Sequence, residues 1–246
     1  MRTKLLVLLA AVVPVAAFAA GGEAQLDHVR IDVGNKPALQ RGARNFVNYC
    51  LGCHSAKYVR YNRVAADIGI TEQQAIDNLM FTGDSIQGTM RIGINPEDAK
   101  RWFGTVPPDL SLIARARGND YLYTFLRSFY ADPARPTGVN NIVLPGTAMP
   151  HVLAGLQGVQ EAEWEGHPDA AGNVQKHFKG FKPGTPGSMT PEEYDAFVRD
   201  TVTFLAYIGE PAQLQRTAIG FPVIAFLVFF TLLAYALKKE YWKDVK

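Results

Sequence analysis

Residues 49–58 read YCLGCHSAKY and contain Cys50 and Cys53, the only two cysteines of the 246-residue chain. His54 follows the second cysteine directly. Three kinds of site use a Cys-x-x-Cys pair, namely zinc centres, thiol redox pairs and covalent haem attachments. The alternative without a cofactor is that the two cysteines are buried thiols beside a histidine. The spacing therefore leaves these four interpretations, and the rest of the sequence can distinguish them.

The zinc and redox interpretations require features that the chain lacks. A zinc site would need a second close pair of Cys or His ligands, and the remaining histidines are scattered: His28, His151, His167 and His177. A thioredoxin-like pair would open a helix within a βαβ pattern, and the flanking sequence shows no strand pattern. Haem attachment uses all three groups, because both thiols add to vinyl groups and His54 ligates the iron from one face. The motif therefore predicts one covalently bound haem c.

The N-terminal residues predict export from the cytoplasm. Residues 1–20 have a basic start, an apolar run and a small-residue exit, Ala-Phe-Ala, at positions 17–19. This pattern is typical of a secretory signal peptide, with cleavage expected after Ala19 or Ala20; a retained N-terminal anchor is the alternative. An exported chain with a single Cys-x-x-Cys-His motif fits haem attachment outside the cytoplasm.

The C-terminal residues predict a membrane anchor. Residues 217–237 contain no charged residue in 21 positions, which is enough for a helix to cross about 30 Å of hydrocarbon. A buried core helix, the alternative, rarely stays apolar on every face for so long. The tail KKEYWKDVK is basic, and the positive-inside rule places it in the cytoplasm. We therefore expect a periplasmic domain over residues 21–212, a span of the lipid bilayer over 213–238 and a cytoplasmic tail over 239–246.

The charge of the exported part argues against nucleic acid as a partner. The whole chain has a formal charge of +2. The leader holds two basic residues, and the tail holds four basic and two acidic ones, so the rest of the chain has 19 Lys and Arg against 21 Asp and Glu. Haem propionates would add further negative charge, which favours a basic soluble partner through electrostatic steering.

The periplasmic part is predicted to be mainly α, with helices joined by long loops and no internal repeat. Apolar spacing and capping residues predict helices at 37–49, from Thr71 towards Phe81, after Pro108-Asp109, at 120–130 and from Thr190 to Gly209. Residues 157–188 are polar and rich in Gly and Pro, with patches of alternation. We interpret this segment as an inserted surface loop, with a hairpin as the alternative.

The residue opposite His54 on the iron decides the redox behaviour. Met149 lies in LPGTAMPHVL, where the two prolines make the backbone stiff and non-helical. Met149 is therefore the favoured ligand, although it could also be a gap-filling hydrophobe. His151 competes, and His/His ligation would lower the potential relative to His/Met. Among the other methionines, Met90 stays open as a ligand, Met80 is expected in the core and Met189 is expected to be exposed.

Several further motifs resemble one family. After CLGCH come PPDLS at 107–111, ARARG at 114–118, PTGV at 136–139, the Met-Pro pair at 149–150 and the Glu-Pro break at 210–211 before the single span. Over most of the mature chain this order resembles cytochrome c1 of bacterial type, the membrane-anchored haem c subunit of the cytochrome bc1 complex. The resemblance implies a cytochrome c-like haem domain with long loops, followed by one transmembrane helix.

The resemblance also implies roles for individual residues. Cys50 and Cys53 would hold the haem, His54 and Met149 would be the axial ligands, Arg117 would meet a propionate and Tyr121 would line the pocket, with Pro108 among the haem-binding residues. Arg115 would point elsewhere, with a solvated charge as the other interpretation. The general c-type fold would cross its first and last helices at four residues: Gly42, Phe46, Phe204 and Tyr207. No further cysteines are present, so any disulfide that some members use to brace the ligand loop is absent.

By the same resemblance, the chain would carry single electrons from the Rieske iron-sulfur protein to a cytochrome c acceptor. It would work beside cytochrome b in a dimeric quinol-cytochrome c oxidoreductase of the respiratory chain, without substrate chemistry of its own. Two rivals remain at this point: a tethered monohaem cytochrome of another complex, and an enzyme or gas sensor with an open iron site.

Overall fold

The computed structural model describes residues 25–168 and 174–244, so the predicted leader lies outside the described residues. Nine helices are described in this part of the chain: α1 (Lys36–Tyr49), α2 (Tyr61–Ile68), α3 (Glu72–Leu79), α4 (Pro96–Phe103), α5 (Ile113–Arg117), α6 (Asn119–Arg127), α7 (Ala154–Gln157), α8 (Pro191–Gly209) and α9 (Gln213–Tyr241). The described strands are β1 (Ala56–Arg60), β2 (Thr89–Met90), β3 (Phe129–Ala131), β4 (Val139–Asn141), β5 (Gly158–Pro168) and β6 (Val174–Pro186). The prediction of a mainly α chain with long loops is confirmed.

The core is organised by the crossing of α1 and α8. Gly42 lies against the Asp200 carbonyl and the Phe204 side chain, so that only a residue without a side chain fits there. The Phe46 and Phe204 rings lie 5.5 Å apart, and Phe204 in turn contacts Tyr207. The predicted crossing is thereby confirmed, and it fixes the end of α1 from which the cysteine motif emerges.

The helix ends follow the capping signals of the sequence. The Asn35 side chain accepts a hydrogen bond from the Ala38 N–H at the start of α1. Thr71 and Thr190 form reciprocal capping boxes with Gln74 and Glu193 at the starts of α3 and α8. These caps satisfy backbone groups that the first turn of a helix leaves without partners.

Three helices and two strand pairs depart from the prediction. The sequence analysis did not predict α2, α4 and the short α7. The predicted helix at 120–130 ends at Arg127, and Phe129–Ala131 forms β3, which pairs with β4. Short apolar runs suit either a helix or a strand, which explains this error. Although no strand pattern was recognised beside the cysteine motif, β1 follows it directly and pairs with β2.

The inserted segment is a long antiparallel hairpin rather than a loop. Strands β5 and β6 pair from Gly158 with Pro186 to Pro168 with Val174, and β5 also runs parallel to β3. Trp164 and Phe178 contact each other at 5.8 Å on this hairpin. The loop interpretation was therefore wrong and the hairpin alternative right, because the alternating residues of the segment pair across two strands. Residues 169–173, between the strands, lie outside the described part.

The last helix is suited to a bilayer. Residues Ala218–Tyr241 of α9 form a span of 24 residues, whose most apolar part has a mean hydropathy of 2.3 and is not buried within the protein. Such a stretch measures about 36 Å at 1.5 Å per residue, more than the hydrocarbon core of a membrane. At the junction with the domain, Glu210 pairs with Arg115 at 3.1 Å and also with Arg216.

The close approach at Gly42 predicts a large effect of a single methyl group. In Gly42→Ala the added Cβ would lie 2.7 Å from the Cβ of Phe204 and would also overlap the Asp200 carbonyl. We expect the free energy of unfolding to fall by about 2–3 kcal/mol, as in other overpacked cores. The measurement is thermal unfolding of the chain in mild detergent. Gly155→Ala is the control, since a Cβ there meets nothing within 4 Å; equal melting of both variants would contradict the crossing.

Candidate functional site

The cysteine motif forms a tight turn at the end of α1. The Cys50 N–H donates to the Phe46 carbonyl, and the Cys53 and His54 N–H groups both donate to the Cys50 carbonyl, at 3.0 and 2.8 Å. Both cysteines are free thiols. Burial, with a smaller contribution from Cys53, raises the pKa of Cys50 to about 12. The turn therefore holds two partly buried thiols that are not joined by a disulfide, which suits covalent attachment of a cofactor.

The His54 ring is oriented by a backbone carbonyl. Nδ1 of His54 donates to the Pro108 carbonyl oxygen at 2.7 Å, so the neutral ring carries its proton on Nδ1 and leaves Nε2 free as a metal ligand. Burial lowers the pKa of His54, and the Pro108 hydrogen bond and the Asp109 charge offset part of this effect. The imidazole is thereby kept neutral, as ligation of iron requires.

Further hydrogen bonds join the cysteine-histidine segment (residues 50–58) to the proline-aspartate segment (residues 107–111). Together with the bond of the His54 ring, four hydrogen bonds connect the two segments. They are His54 Nδ1 to Pro108 O, Leu110 N to Ser55 O, Lys57 N to Asp109 Oδ2 and Tyr58 N to Ser111 Oγ. The sequence analysis quoted Asp109 and Ser111 only as part of a motif. An Asp and a Ser that follow two prolines are typical of side chains that bond nearby backbone, and this signal could have identified them.

Arg117 and Tyr121 come together on α5 and α6. The Arg117 guanidinium lies over the Tyr121 ring at 5.4 Å from its centre, and Tyr121 stacks against Phe125 at 6.2 Å. Tyr121 packs against the core, whereas Arg117 is exposed. Arg115 is also exposed, in agreement with its interpretation as a solvated charge, and it pairs with Glu210 on the surface. The two arginines of ARARG therefore have different surroundings.

Met149 lies on a loop that is braced by hydrogen bonds. Gly146, at a φ of 77° in the left-handed region, donates its N–H to Asn140 Oδ1 at 2.8 Å. Its carbonyl accepts from Arg135 Nη2 at 2.8 Å. The Met149 N–H donates to Thr147 Oγ1 at 3.3 Å, and the Met149 side chain is partly buried. The loop is thus fixed without a disulfide.

Asn141 is the central brace of the same loop. Its side chain is fully buried, and Oδ1 accepts from the backbone N–H groups of Val143 at 2.9 Å and Leu144 at 3.1 Å. Its Nδ2 donates to the Phe125 carbonyl at 2.8 Å. A single amide therefore links the start of the Met149 loop to the end of α6.

The other candidate iron ligands are engaged elsewhere. Nε2 of His151 donates to the Gly158 carbonyl at 3.1 Å, and the ring stacks on Phe129 at 4.9 Å. Burial lowers the pKa of His151. Met90 is fully buried within β2, and Met80 packs against the core just after α3. Met189 is also partly buried against the core, so its predicted exposure was wrong.

His54 and Met149 come from separate segments, and no described hydrogen bond joins them. The structure thus brings His54 to Pro108 and Arg117 to Tyr121. Five residues were candidates for the second ligand: Met80, Met90, Met149, Met189 and His151. Met149 differs from the other four because it lies on a fixed loop and its side chain is neither part of the core cluster nor hydrogen-bonded to backbone.

Comparisons with known proteins found a matching family model and several similar chains. A family model described as Cytochrome C1 family matches residues 31–159 and 186–245; most of the hairpin β5–β6 falls between the two matched segments. Cytochrome c1 of Allochromatium vinosum is 48% identical over the full length of both chains. A protein named ammonia monooxygenase gamma subunit, from Nitrosomonas europaea, is 45% identical over 98% of each chain. The mitochondrial cytochrome c1 haem protein of Schizosaccharomyces pombe is 27% identical over 85% of this chain and 67% of its own.

The buried amide of Asn141 predicts a large loss of stability on truncation. Asn141→Ala would leave two loop N–H groups without their acceptor and would remove one donor from the Phe125 carbonyl, which keeps its bond from the Ser128 N–H. We expect the free energy of unfolding to fall by about 3 kcal/mol, since each unsatisfied buried group costs about 1–3 kcal/mol. Denaturant unfolding of the chain in detergent measures this. Asn78→Ala is the matched control, because the Asn78 amide bonds its own helix on the surface. A loss no larger than that of the control would show that Asn141 is not the brace.

Proposed function

Because the chain belongs to the cytochrome c1 family and so carries a covalently bound haem c, we propose that Cys50, Cys53, His54 and Met149 hold that haem. Members of this family are electron-transfer subunits of the bc1 complex. The observation that carries the proposal is the 2.7 Å hydrogen bond from His54 Nδ1 to the Pro108 carbonyl, directly after the two free thiols.

Each residue of the site has a distinct task in this proposal. Cys50 and Cys53 form thioethers and tether the cofactor to the end of α1. Pro108 fixes the tautomer of His54, so that Nε2 would be available to the iron. Met149 would supply the second ligand from its braced loop, and a thioether ligand raises the reduction potential relative to a second histidine.

Arg117 and Tyr121 are proposed to complete the pocket. The guanidinium of Arg117 is exposed, and Arg binds a carboxylate through two parallel hydrogen bonds. Its contact with Tyr121 at 5.4 Å places both side chains on one side of α5 and α6. We assign Arg117 to a haem propionate and Tyr121 to the wall of the pocket.

Within the complex, the chain relays single electrons from the Rieske iron-sulfur protein to a cytochrome c acceptor. The haem supplies one-electron chemistry, and the protein supplies the ligands, a dry pocket and the attachment. Quinol oxidation belongs to a partner subunit, cytochrome b, in a dimeric assembly.

The domain over 21–212 lies in the periplasm, the helix over 213–238 anchors it in the inner membrane and residues 239–246 lie in the cytoplasm, after removal of the signal peptide at 1–20. The apolar exposed surface of α9 supports this topology.

Co-purification in mild detergent tests the assembly. The expected result is that cytochrome b and a Rieske protein travel with the tagged chain, and that a pyridine haemochrome spectrum reports one haem c per chain. Isolation without either partner would instead support a tethered monohaem cytochrome. Isolation with a monooxygenase would link the chain to the assembly that the Nitrosomonas relative is named for.

The identity of the sixth ligand predicts a spectral difference between two methionine variants. Met149→Leu is expected to lose the red ferric absorption band that is typical of sulfur ligation and to lower the reduction potential, because Leu offers the iron no lone pair. Met90→Leu is the control and should keep the band, since Met90 is a fully buried core residue. Optical spectroscopy of the oxidised proteins measures both. Persistence of the band in Met149→Leu would overturn the ligand assignment, and its absence from the wild type would indicate an open iron site.

A further inference from the structure

The position of the Pro108 carbonyl depends on its neighbours. Residues 106–110 form neither helix nor strand, and Pro108 itself is exposed. A carbonyl in such a segment has no ladder of backbone hydrogen bonds to hold it, and one backbone bond, from Leu110 N to Ser55 O, joins the segment to residues 50–58. A loop with so few backbone bonds is mobile unless side chains also tie it down. The bond that orients His54 therefore requires other groups that fix residues 107–111 against residues 50–58.

Asp109 provides the first of these ties. One carboxylate oxygen, Oδ2, accepts from the Lys57 N–H at 2.9 Å, and the other, Oδ1, accepts from the Ser111 N–H at 3.0 Å. Hydrogen bonds to an ionised acceptor are stronger than neutral ones. Asp109 directly follows Pro108, so its bond to Lys57 holds the backbone next to the Pro108 carbonyl against the cysteine-histidine segment.

Ser111 provides the second tie. It is fully buried, and its Oγ accepts from the Tyr58 N–H at 3.1 Å. Strand β1 pairs with β2 through Ala56 and Arg60, with a register shift between them. The N–H groups of two of the three residues inside that shift, Lys57 and Tyr58, are bonded by the Asp109 and Ser111 side chains.

We propose that Asp109 and Ser111 are positioning residues for the axial histidine, which hold the Pro108 carbonyl where it bonds Nδ1 of His54. This inference rests on the proposed role of His54 as iron ligand. A carbonyl that accepts from the ligand ring fixes the ring orientation and increases electron donation to the metal. Loss of either side chain would loosen the bond and weaken the donation, although neither residue touches the haem.

Solvent exchange of the His54 Nδ1–H tests the proposal directly. The full-length, haem-loaded chain is labelled with ¹⁵N-histidine, reduced in mild detergent and measured by NMR. We expect Asp109→Ala to speed this exchange by about tenfold or more, the order expected when a hydrogen bond is lost, and Ser111→Ala to speed it less. Asp109→Asn keeps one oxygen acceptor and should fall between wild type and Asp109→Ala; it also serves if the alanine variant does not accumulate.

His151 provides an internal control in the same spectra. Its Nε2–H is bonded to the Gly158 carbonyl in a buried place, so general loosening of the fold would speed both histidines. The proposal requires faster exchange at His54 with unchanged exchange at His151. Asp98→Ala is the matched surface control, since Asp98 pairs only within α4 with Arg101, and it should leave both protons unchanged. Equal acceleration at both histidines, or none at His54, would overturn the positioning role.

The reduction potential gives a second readout. Weaker donation from His54 favours the reduced iron, so Ser111→Ala, which changes no charge, should raise the midpoint potential in a redox titration. An unchanged or lowered potential in Ser111→Ala would contradict the proposal. If His54 of the wild-type protein lacks the ring-current shift of a haem ligand in the NMR spectrum, the ligand assignment is refuted, and the positioning role is refuted with it. A shifted His54 with unchanged exchange in Asp109→Ala refutes the positioning role alone.

Discussion

The hydrogen bond between the His54 imidazole and the Pro108 carbonyl is the constraint on which the site depends. It selects one tautomer of the ring, and a ring with the other tautomer would present a protonated nitrogen to the iron. The bond joins two segments more than fifty positions apart, so its geometry depends on how the whole domain folds. The α1–α8 crossing at Gly42 fixes one segment, and the Asp109 and Ser111 bonds fix the other.

The two sides of the proposed iron site are built by different means. On the histidine side, the ligand follows a helix and a tight turn, and its partner is a backbone carbonyl. On the methionine side, the ligand lies on a proline loop that side-chain amides and Arg135 hold in place. Neither side uses a disulfide, since the two cysteines of the chain are free thiols in the turn. The stability of the Met149 loop therefore comes from buried polar bonds, which are costly to leave unsatisfied.

Much of the site could be predicted from the sequence because its chemistry is local. Cys50, Cys53 and His54 are contiguous, and Met149 is marked by the flanking prolines. The pairing of Pro108 with His54 could not be derived from spacing, because it depends on the tertiary contact of two loops. Helix α4 was missed although Asn95, Pro96 and Gly104 supply a cap, a first-turn proline and a left-handed stop. Helix α2 was missed although its apolar residues recur at helical spacing.

The braced loop around Met149 also bears on how the site responds to a change of charge. An electron that arrives at or leaves an iron alters the forces on both ligands, and the surroundings relax in proportion to their freedom to move. The bonds of the buried Asn141 amide lie within the protein and the bond at Gly146 lies at its surface, and the positions of their partners are set by α6, β4 and the proline backbone. As the proposed ligand on such a support, Met149 would keep nearly the same geometry in both oxidation states. The reorganisation energy of electron transfer would then be small, because the ordering of the loop is completed in folding and is not repeated at each turnover.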